Sequence, residues 1–311
     1  MRLRTPSARS AGLAVIVAAT LLPGHAALAE QERPDRDGIS FSLEGGYLNQ
    51  RSTDIDSGGD FGTDRSFVRA GVRNSYSSGL GVGLGVGVGE DKYTFSGMNG
   101  IGALQPWSKI RTLRISLPLS YAPAGPWSYQ VIPSLRYSYE KGADSSDGRT
   151  WSLLAGAAYR VSKSLSIGPG IGVFSELEEG TSVIPILLID WKITDRLSLE
   201  TGRGFAATRG PGLQLRWRAD ARWTVVGGAR YERSRFRLDD DGVAPRGVGE
   251  DRTVPIFVAA QYAIDDRFTL SALAGVDLAG RLRVEEAGGN LLASSGYQST
   301  PFLALFVGLR M

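Results

Sequence analysis

Side chains of an extended strand point alternately to its two faces. Residues 301–311, P-F-L-A-L-F-V-G-L-R-M, keep that period without a break. Leu303, Leu305, Val307, Leu309 and Met311 share one face, and Phe302, Ala304, Phe306, Gly308 and Arg310 share the other. The same rhythm recurs about fourteen times along the chain, with one apolar face nearly every time. A pattern of period two cannot wrap into a helix bundle, so the chain must form sheet and must cover its apolar face. Glycine, at 41 of 311 residues, stands well above the usual ~7% and agrees with an all-β chain.

The first 29 residues read as an export signal. Arg2, Arg4 and Arg9 form a basic start, Ala11 to Leu22 an apolar stretch, and Ala27-Leu28-Ala29 a small-residue cleavage site. Twelve apolar residues are too few for a membrane helix, which needs roughly 20. The expected domains are therefore a signal peptide over 1–29 and a single domain over 30–311. Without the signal, 32 basic residues face 32 acidic ones, so no basic surface points to nucleic acid. Cysteine is absent and the one histidine, His25, lies in the signal. Thiol chemistry, disulfides and imidazole base catalysis are excluded from the rest. No carboxylate or hydroxyl constellation suggests another enzyme, and no cofactor or metal is expected.

Strands are expected near 39–50, 65–76, 79–90, 109–121, 127–140, 149–161, 164–175, 181–193, 196–206, 210–218, 222–235, 252–263, 267–279 and 297–311. Every second connection is short, as at Ser162-Lys163 and Thr194-Asp195. The others are mostly long, including 51–64, 91–108, 141–148, 236–251 and 280–296. Aromatic residues sit on the apolar phase at the short-turn ends: Tyr121, Trp127, Tyr159, Trp191, Trp217, Trp223, Tyr262 and Phe268. Tyr47, Tyr137, Tyr139, Trp151, Phe205 and Tyr231 mark the opposite ends. Rings with an apolar body and a polar tip favour membrane interfaces. The expected fold is an all-β, transmembrane, antiparallel up-and-down β-barrel of about 14 strands, within a range of 12 to 16.

Charge on a lipid-facing phase is costly, so the polar phase must face inward. Its candidate lumen-lining residues are Glu44, Arg69, Arg73, Arg114, Arg136, Arg160, Asp190, Glu200, Arg216, Arg230, Glu232, Asp277, Arg281 and Arg283. Such a wall can line an aqueous pore or knit a closed plug of ion pairs. Glycines alternate along the same phase at Gly81, Gly83, Gly85, Gly87 and Gly89. They leave space either for an infolded loop, 91–108 or 280–296, or for larger side chains opposite. Asp54, Asp56, Asp60 and Asp64 form an oxygen-rich loop whose spacing fits no complete calcium motif and reads as solvated surface.

With its signal, hairpin rhythm, aromatic belts and terminal strand, the chain resembles Gram-negative outer-membrane β-barrel proteins. In size it is similar to monomeric 14-stranded porins and to uncharacterised outer-membrane barrel families. The resemblance is architectural, spans residues 30–311, and departs in ending on Met311 where such chains usually end on Phe or Trp. It implies a porin-like transport channel for passive passage of small polar or charged solutes. The alternatives are a non-conducting structural or adhesion barrel with an ion-paired lumen, or a channel for hydrophobic substrates. The implied location is the outer membrane. The implied partners are outer-membrane lipids and lipopolysaccharide, the barrel-assembly machinery and the small solutes themselves.

Overall fold

The computed structural model describes residues 38–201 and 212–311. Residues 1–29, read as the signal, and Phe205 lie outside the described residues. The first strands are β1 (Gly38–Asp54), β2 (Asp60–Ser75), β3 (Leu80–Ser96), β4 (Lys109–Ser116), β5 (Leu119–Tyr121) and β6 (Trp127–Glu140). Then come β7 (Arg149–Arg160), β8 (Leu165–Glu176), β9 (Gly180–Lys192), β10 (Leu197–Thr201), β11 (Gly212–Arg218) and β12 (Trp223–Arg230). The last are β13 (Glu232–Arg237), β14 (Val248–Ala263), β15 (Phe268–Glu285), β16 (Leu291–Tyr297) and β17 (Thr300–Arg310). A short helix, α1 (Gly100–Leu104), sits between β3 and β4.

Three staves are each interrupted once. β4 and β5 share the neighbours β3 and β6, and the break falls at Leu117-Pro118. Proline has no N–H to give a ladder. β12 and β13 both pair with β14, and β16 and β17 both pair with β15. The result is a closed antiparallel barrel of 14 staves. The terminal strand closes it, since Ser42 to Gln50 of β1 pairs in register with Phe302 to Arg310 of β17. Phe41 and Met311 also exchange backbone hydrogen bonds at 2.7 and 2.9 Å.

The outside is apolar. Leu303 is 67% exposed while its neighbour Phe302 is 2% exposed, which separates the lipid face from the lumen face of β17. Phe41, Val68, Val88, Ile115, Val183, Ile256 and Val258 are likewise exposed. Tyr121, Trp127, Tyr159, Trp191, Trp217, Trp223 and Phe268 form an exposed aromatic ring at the short-turn end. Tyr262 packs beside Trp223 with ring centroids 4.8 Å apart. Tyr47 and Trp151 are exposed toward the other end. An apolar band between two aromatic rings is the surface a bilayer solvates.

The long-loop end departs from a simple barrel. β1 carries an extra residue between Gln50 and Thr53 relative to β2. β15 carries one between Leu278 and Arg281 relative to β14, with Ala279 in the left-handed region at φ 52. The β16/β17 stave breaks beside them. Three threonine hydroxyls satisfy carbonyls along this line. Thr53 donates to Gln298 O at 2.9 Å, Thr300 to Arg51 O at 3.1 Å and Thr253 to Leu278 O at 3.1 Å. Bulges bend and twist a sheet, and here the bent wall turns inward.

β13 completes the closure. One edge pairs with β14, and the other meets β6 across the mouth through a parallel bridge from Arg237 to Tyr139. The external ends of β1–β4 and β13–β16 thus enclose a packed core that includes Phe61, Tyr93, Phe95, Trp107, Phe236 and Leu282. Much of 51–64, 91–108, 236–251 and 280–296, expected as loop, is extended strand that walls this core. The alternation simply runs on past the membrane, through Phe61, Thr63 and Arg65 and through Tyr93 and Phe95.

At the short-turn end, Asp220 accepts from the backbone N–H of Arg222 and Trp223, and Asp265 from those of Arg267 and Phe268. These donors hold both carboxyls below the usual aspartate range. Their stabilisation is present above the ordinary value of about 3.9 and is lost as pH falls through the depressed folded value. Asp265→Ala is expected to speed amide exchange at Arg267 and Phe268 at neutral pH, with the difference from the parent closing in acid. On the lipid face, Leu305→Arg is expected to cost about 2–4 kcal/mol on folding into bilayers. Reversible denaturant titration in vesicles measures it.

Candidate functional site: the barrel lumen and its mouth

The inward phase of the staves is amphipathic. Glu44, Arg69, Arg73, Arg114, Arg136, Arg160, Asp190, Glu200, Arg216, Arg230, Glu232 and Asp277 all lie on it. Arg73 donates to Ser120 Oγ at 2.5 Å and Arg216 to Gln261 Oε1 at 3.0 Å, each reaching past an intervening stave. Glu200 accepts from Ser198 at 2.8 Å and from Gln214 at 3.3 Å. The glycines of β3 make these arrangements possible. A Cβ on Gly81 would collide with the Arg73 guanidinium, and one on Gly87 would sit 3.3 Å from Arg69 Cγ. The bare wall therefore houses the arginines of β2.

Two apolar panels share the lumen with these charges. Val226, Phe257, Ala259, Leu273, Phe302 and Phe306 form one, backed by Leu48 and Phe67. Ile132, Leu154, Ala158, Ile186 and Leu188 form the other, with Phe174. The Arg69 guanidinium lies 4.0 Å over the Phe67 ring, and that of Arg230 lies 5.1 Å over Phe257. Stacking on an aromatic face offsets part of the cost of drying a guanidinium.

Beneath the aromatic core of the mouth lies a layer of buried charge. Arg65 binds Glu232 at 3.2 Å and Asp251 at 3.1 Å, and Arg230 binds Glu232 at 2.5 Å. Tyr93 and Tyr297 donate to Asp251 at 2.9 and 3.1 Å. Each carboxylate thus has two or more donors, the condition for tolerating charge in a dry site. Asp277 is buried on the same inward phase.

Arg281 and Arg283 do not face the lumen. The extra residue at Ala279 inverts the phase of β15, so Leu282 and Val284 point into the external core instead. Arg281 is exposed, and Arg283 binds Glu285 at 2.8 Å on the outer side of that core.

That outer side carries a second charge cluster, built by β13 and the tip of the β8–β9 hairpin. Glu179 binds Arg233 at 2.8 Å, Arg235 at 3.1 Å and Arg283 at 3.8 Å, and Glu178 binds Arg237 at 2.8 Å. Arg235 also holds Glu250 at 2.8 Å and Glu285 at 2.7 Å, and donates to Leu177 O at 2.7 Å. Across the mouth, Arg136 donates to Ser234 at 3.3 Å and Arg237 to Asp147 O at 3.1 Å. β13 is therefore a strap over the lumen, latched on one side by β6 and on the other by Glu178 and Glu179.

Glu232 apart, the strap, the apolar panels and the Arg65–Asp251 pair were not among the expected site residues. Phe67, Phe302 and Phe306 share a phase with Arg69 and Arg310, and that shared phase is the signal that reveals the panels. The aspartates of 54–64 do not gather. Asp60 accepts from Ser52 at 2.5 Å and Ser96 at 2.6 Å, and Asp64 from Tyr47 at 2.5 Å and Asn49 at 2.8 Å. Among the described residues no group of carboxylates is arranged to hold a metal ion.

A closed barrel with an apolar outer band and a polar, amphipathic lumen is the architecture of Gram-negative outer-membrane β-barrels. No protein-family model and no curated protein sequence matches the chain. Among solved structures it is similar to an outer membrane channel from Pseudomonas putida F1, at 12% identity and a TM-score of 0.49, covering 89% of this chain and 98% of that one. It is also similar to a Pseudomonas aeruginosa FadL homologue, at 10% identity and a TM-score of 0.49, covering 88% and 90%. The P. putida toluene transporter TodX superposes at 11% identity and a TM-score of 0.46, covering 88% and 90%. At these identities the chemistry of this lumen must be read from its own residues.

Arg235→Met is expected to cost about 1–3 kcal/mol of stability, because Glu250 and Glu285, whose side chains are each 2% exposed, lose one of their arginines and keep only the partly exposed Arg233 and Arg283. Arg246→Gln removes an open pair to Asp147 and is expected to cost at most about 1 kcal/mol. Equilibrium unfolding of the two variants side by side measures the contrast.

Proposed function

We propose that the chain is an outer-membrane channel for small polar or charged solutes, with a preference for anions and a strap-gated external mouth. An export signal over residues 1–29, removed after Ala29, would carry it to the periplasm for insertion by the barrel-assembly machinery, among outer-membrane lipids and lipopolysaccharide. The observation that carries the reading is the row of inward arginines Arg69, Arg114 and Arg136 on β2, β4 and β6, in register with Glu44 of β1. A pore gains attraction and selectivity from such a row.

The apolar panels favour a second reading, a channel for hydrophobic molecules. Both readings need a way past the strap. The strap is held on the β8–β9 side by ion pairs centred on Glu178 and Glu179, and partly exposed ion pairs exchange more readily than a packed core.

Planar-bilayer recording tests the proposal. The parent is expected to show brief openings, and Glu178→Gln/Glu179→Gln openings that last several-fold longer, with reversal potentials favouring anions. Absence of conductance in both proteins at all voltages would overturn the channel reading in favour of a sealed barrel. Uptake of toluene but not benzoate into vesicles would favour the hydrophobic reading.

A further inference from the structure

The outward phase of β3, β4, β6 and β7 changes character at the external edge of the apolar band. Val86, Val88, Ile115, Trp151 and Leu153 are exposed on it within the band. Continuing by steps of two toward the long loops, the same phase reaches Glu90 and Lys92 on β3, Arg111 and Lys109 on β4, and Arg149 on β7. Lys92 faces Lys109 in register, Glu90 faces Arg111, and Tyr137 faces Arg149. The backbone N–H of Lys141 donates to Lys109 O at 2.8 Å, which brings a third lysine beside the other two. Five cations are thus gathered on the outer wall of four adjacent staves.

The protein supplies little countercharge there. Glu90 is shared between Lys109 at 3.1 Å and Arg111 at 3.6 Å, and all three side chains are more than a third exposed. Asp64 faces Lys92 from β2 but already accepts from Tyr47 and Asn49. Asp147 of the next loop binds Arg246. Among the described residues Lys141 and Arg149 make no ion pair. Like charges directly opposite each other in a sheet are destabilising, and Lys92 and Lys109 stand in that relation. An external anion removes the cost.

Cations directly above an apolar wall suit an amphiphile with an anionic head and acyl chains. Its phosphate oxygens would meet Lys109, Arg111 and Arg149 through charge-assisted hydrogen bonds, and its chains would run along Val88, Ile115 and Leu153. From β3 to β7 the cluster spans about 14 Å, three strand spacings of about 4.8 Å. One phosphate is too small to reach across that span, whereas a disaccharide with a phosphate at each end suits it. The cluster lies at the long-loop end, which in outer-membrane barrels faces outward. We propose that this surface seats the bis-phosphorylated lipid A part of lipopolysaccharide against the barrel wall. The inference rests on the outer-membrane part of the functional reading and not on conduction. Tyr139 faces Arg111 within the surface and also carries the bridge to Arg237 of the strap, so the bound lipid braces the fixed side of the mouth.

Native mass spectrometry of the folded full-length barrel in detergent tests the surface without any transport. The probes are bis-phosphorylated lipid A, fully dephosphorylated lipid A, phosphatidylglycerol and inorganic phosphate. Lipid A is expected to bind the parent one to one, with each other probe at least tenfold weaker. Lys92→Gln/Lys109→Gln is expected to weaken lipid A at least tenfold. Lys163→Gln, at the short-turn end, is expected to bind it as the parent does. Relief of the facing lysines should leave the lipid-free melting temperature of the double variant no lower than the parent's, which separates lost binding from lost fold. If that variant does not fold, Lys141→Gln/Arg149→Gln takes its place. Equal binding of lipid A by parent and double variant, or of dephosphorylated lipid A by the parent, would overturn the surface. Equal binding of phosphatidylglycerol would overturn the choice of a bis-phosphorylated glycolipid. A silent bilayer with intact lipid A binding would overturn the channel and leave the surface standing.

Discussion

The pairing of β1 with β17 is the interaction on which the structure depends. In hydrocarbon an unpaired backbone edge costs several kcal/mol per group, so a sheet in a bilayer must close. Nine consecutive residue pairs, Ser42 with Arg310 through Gln50 with Phe302, provide that closure. Once the ring is closed, period two divides every stave into a lipid side and a lumen side. Leu303, Leu305 and Val307 go out, and Phe302, Ala304 and Phe306 go in. The charged row, the glycine wall and both apolar panels inherit their placement from this one division.

The mouth follows from the point where the bilayer ends. Inside the membrane the outer face must be apolar and the lumen is free to be polar. Beyond it, water surrounds the sheet and the drive reverses, so apolar residues collect inside. Phe61, Tyr93, Phe95 and Phe236 sit on the same phase as lumen residues lower on their staves, yet they form a packed core. Bulges near Gln50 and Ala279 bend the wall inward just there. The same sequence rhythm thus yields an amphipathic inner wall in lipid and an apolar, aromatic core above it. The filled half has no reason to move. The other half is closed by ion pairs from the β8–β9 tip, and this division of labour places any opening beside β13 rather than through the aromatic core.

Much of this was legible in the alternation. The strand order, the closing pair and the belts at Trp127, Trp191 and Trp223 follow from period two and from the cost of charge in lipid. Arg281 and Arg283 escaped because one inserted residue at Ala279 inverts the phase, and a bulge has no reliable signature in sequence. The strap escaped for a different reason. The pairing of β13 with β6 joins segments about a hundred residues apart through a single bridge, Arg237 to Tyr139. No local pattern encodes so sparse and distant a contact.

The glycines of β3 show how the two levels meet. Read locally, five alternating glycines weaken a strand, because each gives up side-chain packing and adds chain entropy to the unfolded state. In the ring they are what lets Arg69 and Arg73 lie flat against the wall. Arginine side chains standing upright would fill the lumen, and laid across glycine they line it. The loss in strand propensity is offset by the neighbouring ladders, which run the full length of β3 on the β2 side. The bare stave therefore works as a trough for the basic groups of β2 beside it.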